Sequence, residues 1–324
     1  MKIVVTGGAG FIGANLVRAL RDSESGWDVS VIDNLSTGFR TNLDGIEGVA
    51  FNEASILDDQ ALDAAFAGAG AIVHLAARPS VQRSVVDPLA SHEANATGTL
   101  KVLEAARRAG VGHIVLASSS SVYGAIKPLP KHEDLPTAPL SPYAASKLAA
   151  ENYALSFAHC HGVPVLAFRF FNVFGPLQPA GHAYAAAIPA FISAATKGRP
   201  IPIFGDGLQT RDFTYVGSVC AVIVDALRRR VSSDRPVNLA FGTRRSLLEV
   251  VDELSAVFER PLDRMHAEAR PGDVRDSQAD QTRMRNLFPG IEPMAFDVGL
   301  RATVEWFLAH ELVGVLSAGA PAPR

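Results

Sequence analysis

The sequence predicts an α/β fold, a doubly wound parallel sheet with a smaller C-terminal α/β domain over its ligand edge. Three observations predict it. Short β-rich runs alternate with helical patterns through the first third of the chain, as strand–helix–strand units do. Ala71-Ile72-Val73-His74-Leu75 and Gly112 to Ala117 read as strands buried on both faces rather than one. The first run is followed at once by Gly7-Gly8-Ala9-Gly10-Phe11-Ile12-Gly13, a glycine turn of the kind that opens the ligand edge of such sheets.

The elements follow in order. Lys2 to Thr6 predicts the first strand and Ala14 to Arg21 the first helix. Between them Gly7 permits a tight turn, Gly10 lets backbone approach a pyrophosphate, and Gly13 lets the helix pack on the strand. The helix N-terminus then presents its partial positive charge to the phosphates. Asp28 to Ile32 is the second strand and ends in Asp33. A carboxylate there suits two ribose hydroxyls and repels a 2′-phosphate, which favours NAD over NADP. Val49 to Asn52 and Asp58 to Ala67 continue as strand and helix, and Ala94 to Ala109 has helical periodicity before the strand that starts near Gly112. Gly7, Asp33, Ala76 and Ser118-Ser119-Ser120-Ser121 all fall at the carboxyl ends of strands, where ligands bind in this architecture.

Ser141-Pro142-Tyr143 predicts the start of a further helix, with Ser141 as cap and Pro142 in the first turn. Tyr143 and Lys147, four apart, share one of its faces. A cation beside a phenol lowers its pKa, which would make Tyr143 a general base near neutral pH. From Phe170 onward Pro and Gly are more frequent and the alternation is irregular. The expected division is therefore 1–168 for the dinucleotide-binding domain and 169–324 mainly for substrate, with the chain returning to the sheet near Asp212 to Leu239. A final helix is expected from Thr303 to Ala309, and the tail from Ala318 to Pro323 reads as disordered.

Composition excludes several classes. A formal charge of −3 gives no reason to expect nucleic acid or an anionic membrane as partner. No apolar run reaches the ~18 residues of a membrane span, because Arg169 interrupts the longest candidate. Cys160 and Cys220 cannot build a disulfide framework and suit a reducing, cytoplasmic setting. Met1-Lys2 leads directly into the first strand, so no signal peptide is expected. His159-Cys160-His161 lacks further ligands at a metal-binding spacing, so no metal is expected.

The chain resembles the extended short-chain dehydrogenase/reductase family, a Rossmann-fold group, and within it the UDP-hexose 4-epimerases. The resemblance rests on TGGAGFIG at 6–13, VIDNLSTG at 31–38, HLAA at 74–77, NATGT at 95–99, SSSSVYG at 118–124, SPYAASK at 141–147, RFFNVFGP at 169–176, GDGLQTRDFTYV at 205–216 and RPGDVRDSQAD at 270–280. It implies NAD as cofactor, a UDP-sugar as substrate and a homodimer. Against NAD it places Phe11, Ile12, Asp33, Asn34, Ser36, Thr37, Gly38, Leu75, Ala76, Ala77, Asn95 and Phe171, with Lys147 on the nicotinamide ribose. Ser55-Ile56 stands where many relatives carry Asp before Ile or Val, so Ser55 is left to accept a weaker bond from the adenine amino group. Ser119 matches the catalytic hydroxyl beside Tyr143. For the UDP-sugar the resemblance implies Ser119, Ser120, Asn172, Ile188, Pro202, Phe204 beside the uracil, Arg211, Arg270, Asp273, and Ser277 as a gate beside the sugar's 2-substituent. A tyrosine at the gate resembles enzymes restricted to UDP-glucose and UDP-galactose. A serine resembles those accepting the N-acetylated sugars.

Rival readings differ at named positions. Related 4,6-dehydratases carry an Asp-Glu pair directly after the catalytic hydroxyl, where this chain has Ser120-Ser121. Uronate-specific relatives differ around 172 to 182, where this chain keeps Asn172 and shows no carboxylate clamp. Decarboxylases share most of the landmarks. A non-catalytic NAD-sensing protein on the same fold would have no use for the Ser119, Tyr143 and Lys147 set.

Overall fold

The computed structural model describes residues 1–23, 25–180, 185–268 and 274–318. Its centre is a seven-stranded parallel sheet. The strands are β1 (Lys2–Thr6), β2 (Asp28–Asp33), β3 (Val49–Glu53), β4 (Ala69–His74), β5 (Ile114–Ser119), β6 (Val165–Phe170) and a last short strand, Val237–Leu239. Across the sheet they run Val237–Leu239, β6, β5, β4, β1, β2, β3. The order reverses direction at β1, so the crevice of this doubly wound sheet opens between the ends of β1 and β4.

Side chains leave each strand alternately up and down, which builds two cores. Ile3 and Val5 face one layer, where α1 (Phe11–Asp22) supplies Leu16, Val17 and Leu20 and the helix Val216–Arg229 supplies Val219, Ile223 and Leu227. Val4 faces the other. There it meets α2 (Asp59–Phe66), α5 (Gly98–Arg108) and α6 (Pro142–His161) through Leu62, Phe66, Val102, Leu103, Ala154 and Phe157. Each large side chain so buried contributes about 1.5–3 kcal/mol. Two short helices, α3 (Val81–Val86) and α4 (Pro88–His92), join β4 to α5.

A third core lies in the C-terminal half. Helices Ala187–Thr196, Leu247–Val257 and Phe296–Ala318 bury Ile192, Val250, Leu254, Leu300 and Phe307 around Ile201, Ile203 and Phe213. Phe174 stacks edge-on to Phe213, with 6.3 Å between centroids. Three strand pairs frame it: Ile201–Phe204 with Arg264–Ala267, Thr210–Asp212 with Arg244–Ser246, and Val173–Phe174 with Thr214–Tyr215. Trp306 lies in the last helix, which extends further in both directions than the expected Thr303 to Ala309. Residues 319–323 of the tail lie outside the described residues. Among the described residues no helix is long and apolar enough to cross a membrane.

One helix departs from its periodicity. The predicted Ala94 to Ala109 run opens with a wide turn, Glu93–Thr97, before α5 begins. Within that turn lies Asn95, 1% exposed, whose side chain turns inward. Its amide donates to Ser146 Oγ at 2.9 Å and its carbonyl oxygen accepts the Arg78 N–H at 2.7 Å. The Asn95 main-chain carbonyl accepts the Thr99 hydroxyl at 2.6 Å.

Candidate active site

The first strand, turn and helix form one wall of a cleft of about 990 Å³. Gly7 has φ +72°, and a Cβ there would lie 2.7 Å from the Ala76 nitrogen. A Cβ on Gly13 would sit 2.1 Å from the Gly7 carbonyl, so only glycine lets α1 start this close to the strand. Gly10 is the N-cap and provides no side-chain bond, which leaves the first N–H groups of α1 to a ligand. At the end of β2, Asp33 Oδ2 accepts the Ala9 N–H and Oδ1 the Leu35 N–H, both at 2.9 Å. Each oxygen keeps a further lone pair for a ribose hydroxyl. A bare glycine backbone, an uncapped helix start and a fixed carboxylate fit a dinucleotide.

The opposite wall carries the titratable groups. Ser141 caps α6 by accepting the Ala144 N–H at 3.1 Å, as its sequence predicts. This start aims Tyr143 and Lys147 into the cleft below the end of β5. There Ser119 Oγ accepts the Ser121 N–H at 3.2 Å and the Ser121 hydroxyl at 2.8 Å. With those lone pairs used, the Ser119 hydroxyl proton is left to favour the ionised form of the Tyr143 phenol, which lines the same cleft.

The electrostatics differ from the sequence expectation. Burial raises the Tyr143 phenol above its usual value, and the Ser119 hydroxyl opposes that rise. Lys147 is itself 6% exposed. Burial lowers its ammonium to about 8, against the upward pull of Glu151 one turn further along. Lys147 is buried and Tyr143 half-buried, and loss of water disfavours the charged form of each.

Glu151 belongs to a buried ion pair. Its Oε1 accepts from Arg169 Nη2 at 2.6 Å, and its Oε2 accepts from Arg169 Nε at 3.0 Å and the Ser118 hydroxyl at 2.6 Å. On the other side of Lys147 lies His74, 3% exposed and lowered to about 3 by burial with the Lys147 charge adding to it. Thr99 already donates to Asn95, so His74 Nε2–H must donate to Thr99 and Nδ1 accept from Thr6, at 2.9 and 2.7 Å. His74 is thus a neutral strut.

Most residues singled out from the sequence meet in this cleft. Gly7, Gly10, Phe11, Ile12, Gly13, Asp33, Asn34, Ser36, Thr37, Ser55, Ile56, Leu75, Ala76, Ala77, Ser119, Ser120, Tyr143, Lys147 and Asn172 line it. A smaller cavity of about 180 Å³ adjoins it through Ser120, Ser121 and Asn172, and takes in Phe171, Arg211 and Ser277. Other positions stand elsewhere. Gly38 presses on the glycine turn, its Cβ position 2.7 Å from the Ala9 carbonyl carbon. Asn95 acts behind the wall through Ser146 and Arg78. Ile188 is 1% exposed in the third core, and Pro202 and Phe204 lie half-buried on the Ile201–Phe204 strand. Arg270 and Asp273 lie outside the described residues. Sequence reasoning missed Arg78 and Arg83, which line the cleft just after HLAA, and Lys131 in the smaller cavity.

Comparison with known proteins decides the family. Residues 3–240 match the NAD dependent epimerase/dehydratase family. The chain belongs to that family. Its members use NAD, and this chain is 37% identical over 314 residues to the UDP-glucose 4-epimerase of Mycolicibacterium smegmatis, covering 95% of this chain and 98% of that protein. It is also 34% identical over 316 residues to the dTDP-glucose 4,6-dehydratase of Streptomyces niveus, covering 95% and 93%. Among solved structures, the UDP-N-acetylglucosamine 4-epimerase of Methanobrevibacter ruminantium, in complex with UDP-N-acetylmuramic acid, superposes with a TM-score of 0.90 at 35% identity, covering 95% of this chain and 98% of that one. The chain is therefore an enzyme of NAD-dependent nucleotide-sugar chemistry, with epimerases and dehydratases both among its relatives.

Proposed function

We propose that this enzyme is a UDP-hexose 4-epimerase acting on the N-acetylated pair UDP-GlcNAc and UDP-GalNAc, with UDP-glucose and UDP-galactose as further substrates. The observation that carries the reading is that Ser119, Tyr143 and Lys147 line one cleft, which adjoins through Ser120, Ser121 and Asn172 a smaller cavity whose wall includes Ser277. When bound, NAD supplies a hydride acceptor and donor for sugar C4. Tyr143 removes the proton of the 4-hydroxyl and later returns it. Ser119 hydrogen-bonds the same oxygen, and Lys147 orients the nicotinamide ribose. Next to Ser119 stand two further hydroxyls, Ser120 and Ser121, with no carboxyl pair to eliminate water across C5 and C6. That favours epimerisation over dehydration.

Residues from 169 onward, apart from the return that forms Val237–Leu239, serve as the substrate domain in this reading, with Arg211, Arg270, Asp273, Pro202 and Phe204 on the UDP moiety. Both thiols, exposed Cys160 and buried Cys220, are free, in keeping with a cytoplasmic setting. A homodimer belongs to the same reading. Incubating the protein with NAD and a panel of UDP-sugars, and reading the anomeric NMR signals, tests the reaction. Appearance of the C4 epimer is the expected result, and loss of the C6 hydroxyl with no epimer would replace the reading by dehydration.

A further inference from the structure

Lys131 carries a buried cation with no use in the chemistry above. It lies on the loop between β5 and α6 and is 4% exposed. Its backbone pairs with the segment bearing the sugar gate: the Lys131 N–H donates to Gln278 O at 2.7 Å and its carbonyl accepts the Asp280 N–H at 2.8 Å. Lys131 and Ser277 therefore share one wall of the smaller cavity. The ammonium has three protons to donate and gives one to the Ile126 carbonyl.

No anion among the described residues answers its charge. Asp276, on the same wall, accepts from Thr210 at 2.6 Å and pairs with Arg244 at 3.1 Å. Glu133, two residues away, accepts the Asn238 N–H at 2.8 Å and faces Arg283 at 3.9 Å. Asp280 accepts the Thr282 N–H at 2.8 Å. The other polar groups lining the cavity are the hydroxyls of Ser120, Ser121, Tyr123, Ser141 and Ser277, the Asn172 amide and a second cation, the Arg211 guanidinium. Burial alone lowers the Lys131 ammonium, with no neighbouring charge to raise it. A buried cation without a counter-ion among the described residues is costly to keep, and a cavity that adjoins the catalytic cleft through Ser120, Ser121 and Asn172 lets a ligand supply one.

We propose that Lys131 is a specificity-determining residue that pairs with a carboxylate on the sugar, so that the substrate class is a UDP-activated N-acetylhexosamine bearing an acidic group. The inference rests on the epimerase reading and deepens it: the reaction at C4 and the open gate at Ser277 are unchanged, and the sugar gains a charge. The carboxylate could be the oxidised C6 of a uronate or the end of a lactyl ether on O3. The shared chemistry is a carboxylate beside an acetamido group.

The test compares kcat/KM for 4-epimerisation of UDP-N-acetylglucosaminuronate, UDP-N-acetylmuramic acid and UDP-GlcNAc, on the wild type, Lys131→Met and Lys131→Arg, each with NAD. The wild type is expected to prefer one acidic sugar over UDP-GlcNAc by at least ~10-fold, as a hydrogen-bonded charge pair supplies. Which acidic sugar is preferred identifies the position of the carboxylate. Lys131→Met should bring that ratio down at least ~10-fold, and Lys131→Arg should restore part of it. A wild type that prefers UDP-GlcNAc overturns the proposal. So does a ratio that Lys131→Met leaves unchanged, since Lys131 would then hold the pyrophosphate or the loop. Calorimetric binding of the three sugars to the wild type keeps the two readings separate. Failure to epimerise any of them defeats the 4-epimerase reading. Equal Kd values for neutral and acidic sugars defeat the role of Lys131, even if Lys131→Met does not fold.

Discussion

Replacing Lys147 with methionine should make the protein more stable and inactive. The ammonium sits at about 8 instead of its ordinary 10.5 because it is buried. At 1.36 kcal/mol for each pKa unit, holding that charge inside the fold costs about 3 kcal/mol at neutral pH. Methionine fills a similar volume without the charge. Glu151 is not orphaned by the change, since Arg169 and Ser118 still bond it. The sign follows from the protons bound. Below about 8 folded and unfolded chains both carry the proton, and the penalty is present in full. Between about 8 and 10.5 the folded chain releases its proton first, so wild-type stability rises with pH relative to the variant. Above 10.5 the two should converge. Urea unfolding of both proteins from pH 7 to pH 10.5, with the difference plotted against pH, reads this directly. The variant should lead by about 3 kcal/mol at pH 7 and lose its lead as pH rises. Equal stability at pH 7, or a gap that ignores pH, would refute the argument that burial depresses Lys147.

Three further outcomes are expected. Tyr143→Phe should keep the fold and its NAD while losing at least ~10²-fold in kcat; near wild-type turnover would remove Tyr143 as the base. The wild type should bind NAD at least ~10-fold more tightly than NADP in a fluorescence titration, because Asp33 is pinned by two N–H groups and cannot swing away from a 2′-phosphate. Equal binding contradicts that role. Ser277→Tyr should cut kcat/KM for the N-acetylated sugars by ~5- to ~150-fold relative to UDP-glucose, and a loss shared equally by both would argue against a gate.

Much of this was legible in the chain itself. The strands Lys2–Thr6 and Asp28–Asp33 and the glycine turn are local signals: apolar runs, a composition only a turn tolerates, and a carboxylate at a strand end. Ser141 and Pro142 likewise mark the start of α6 from two adjacent residues. What escaped depends on distance. Arg169 and Glu151 meet across β6 and α6, and nothing in the spacing announces that one neutralises the other. The sign of the Tyr143 perturbation depends on how deeply the phenol is packed, which residue spacing does not encode. Asn95 sits in a widened helix turn and its amide bonds Ser146 on a different element, a contact no local pattern announces. In the C-terminal half, pairs such as Val173–Phe174 with Thr214–Tyr215 are too short to leave a periodic trace.

The position of the last strand has a consequence for how the chain is made. Val237–Leu239 closes the edge of β6, pairing Val237 with Phe168 and Leu239 with Phe170. A growing chain that has released Phe170 therefore carries an apolar parallel strand with one row of N–H and C=O groups unpaired. It stays so through synthesis of residues 171–236, while the helices Leu247–Val257 and Phe296–Ala318 that complete the third core are still to come. Such an edge is a template for pairing with another chain. The nascent protein is thus most prone to self-association in this interval, and a chain ending before Val237 would keep that exposed edge permanently.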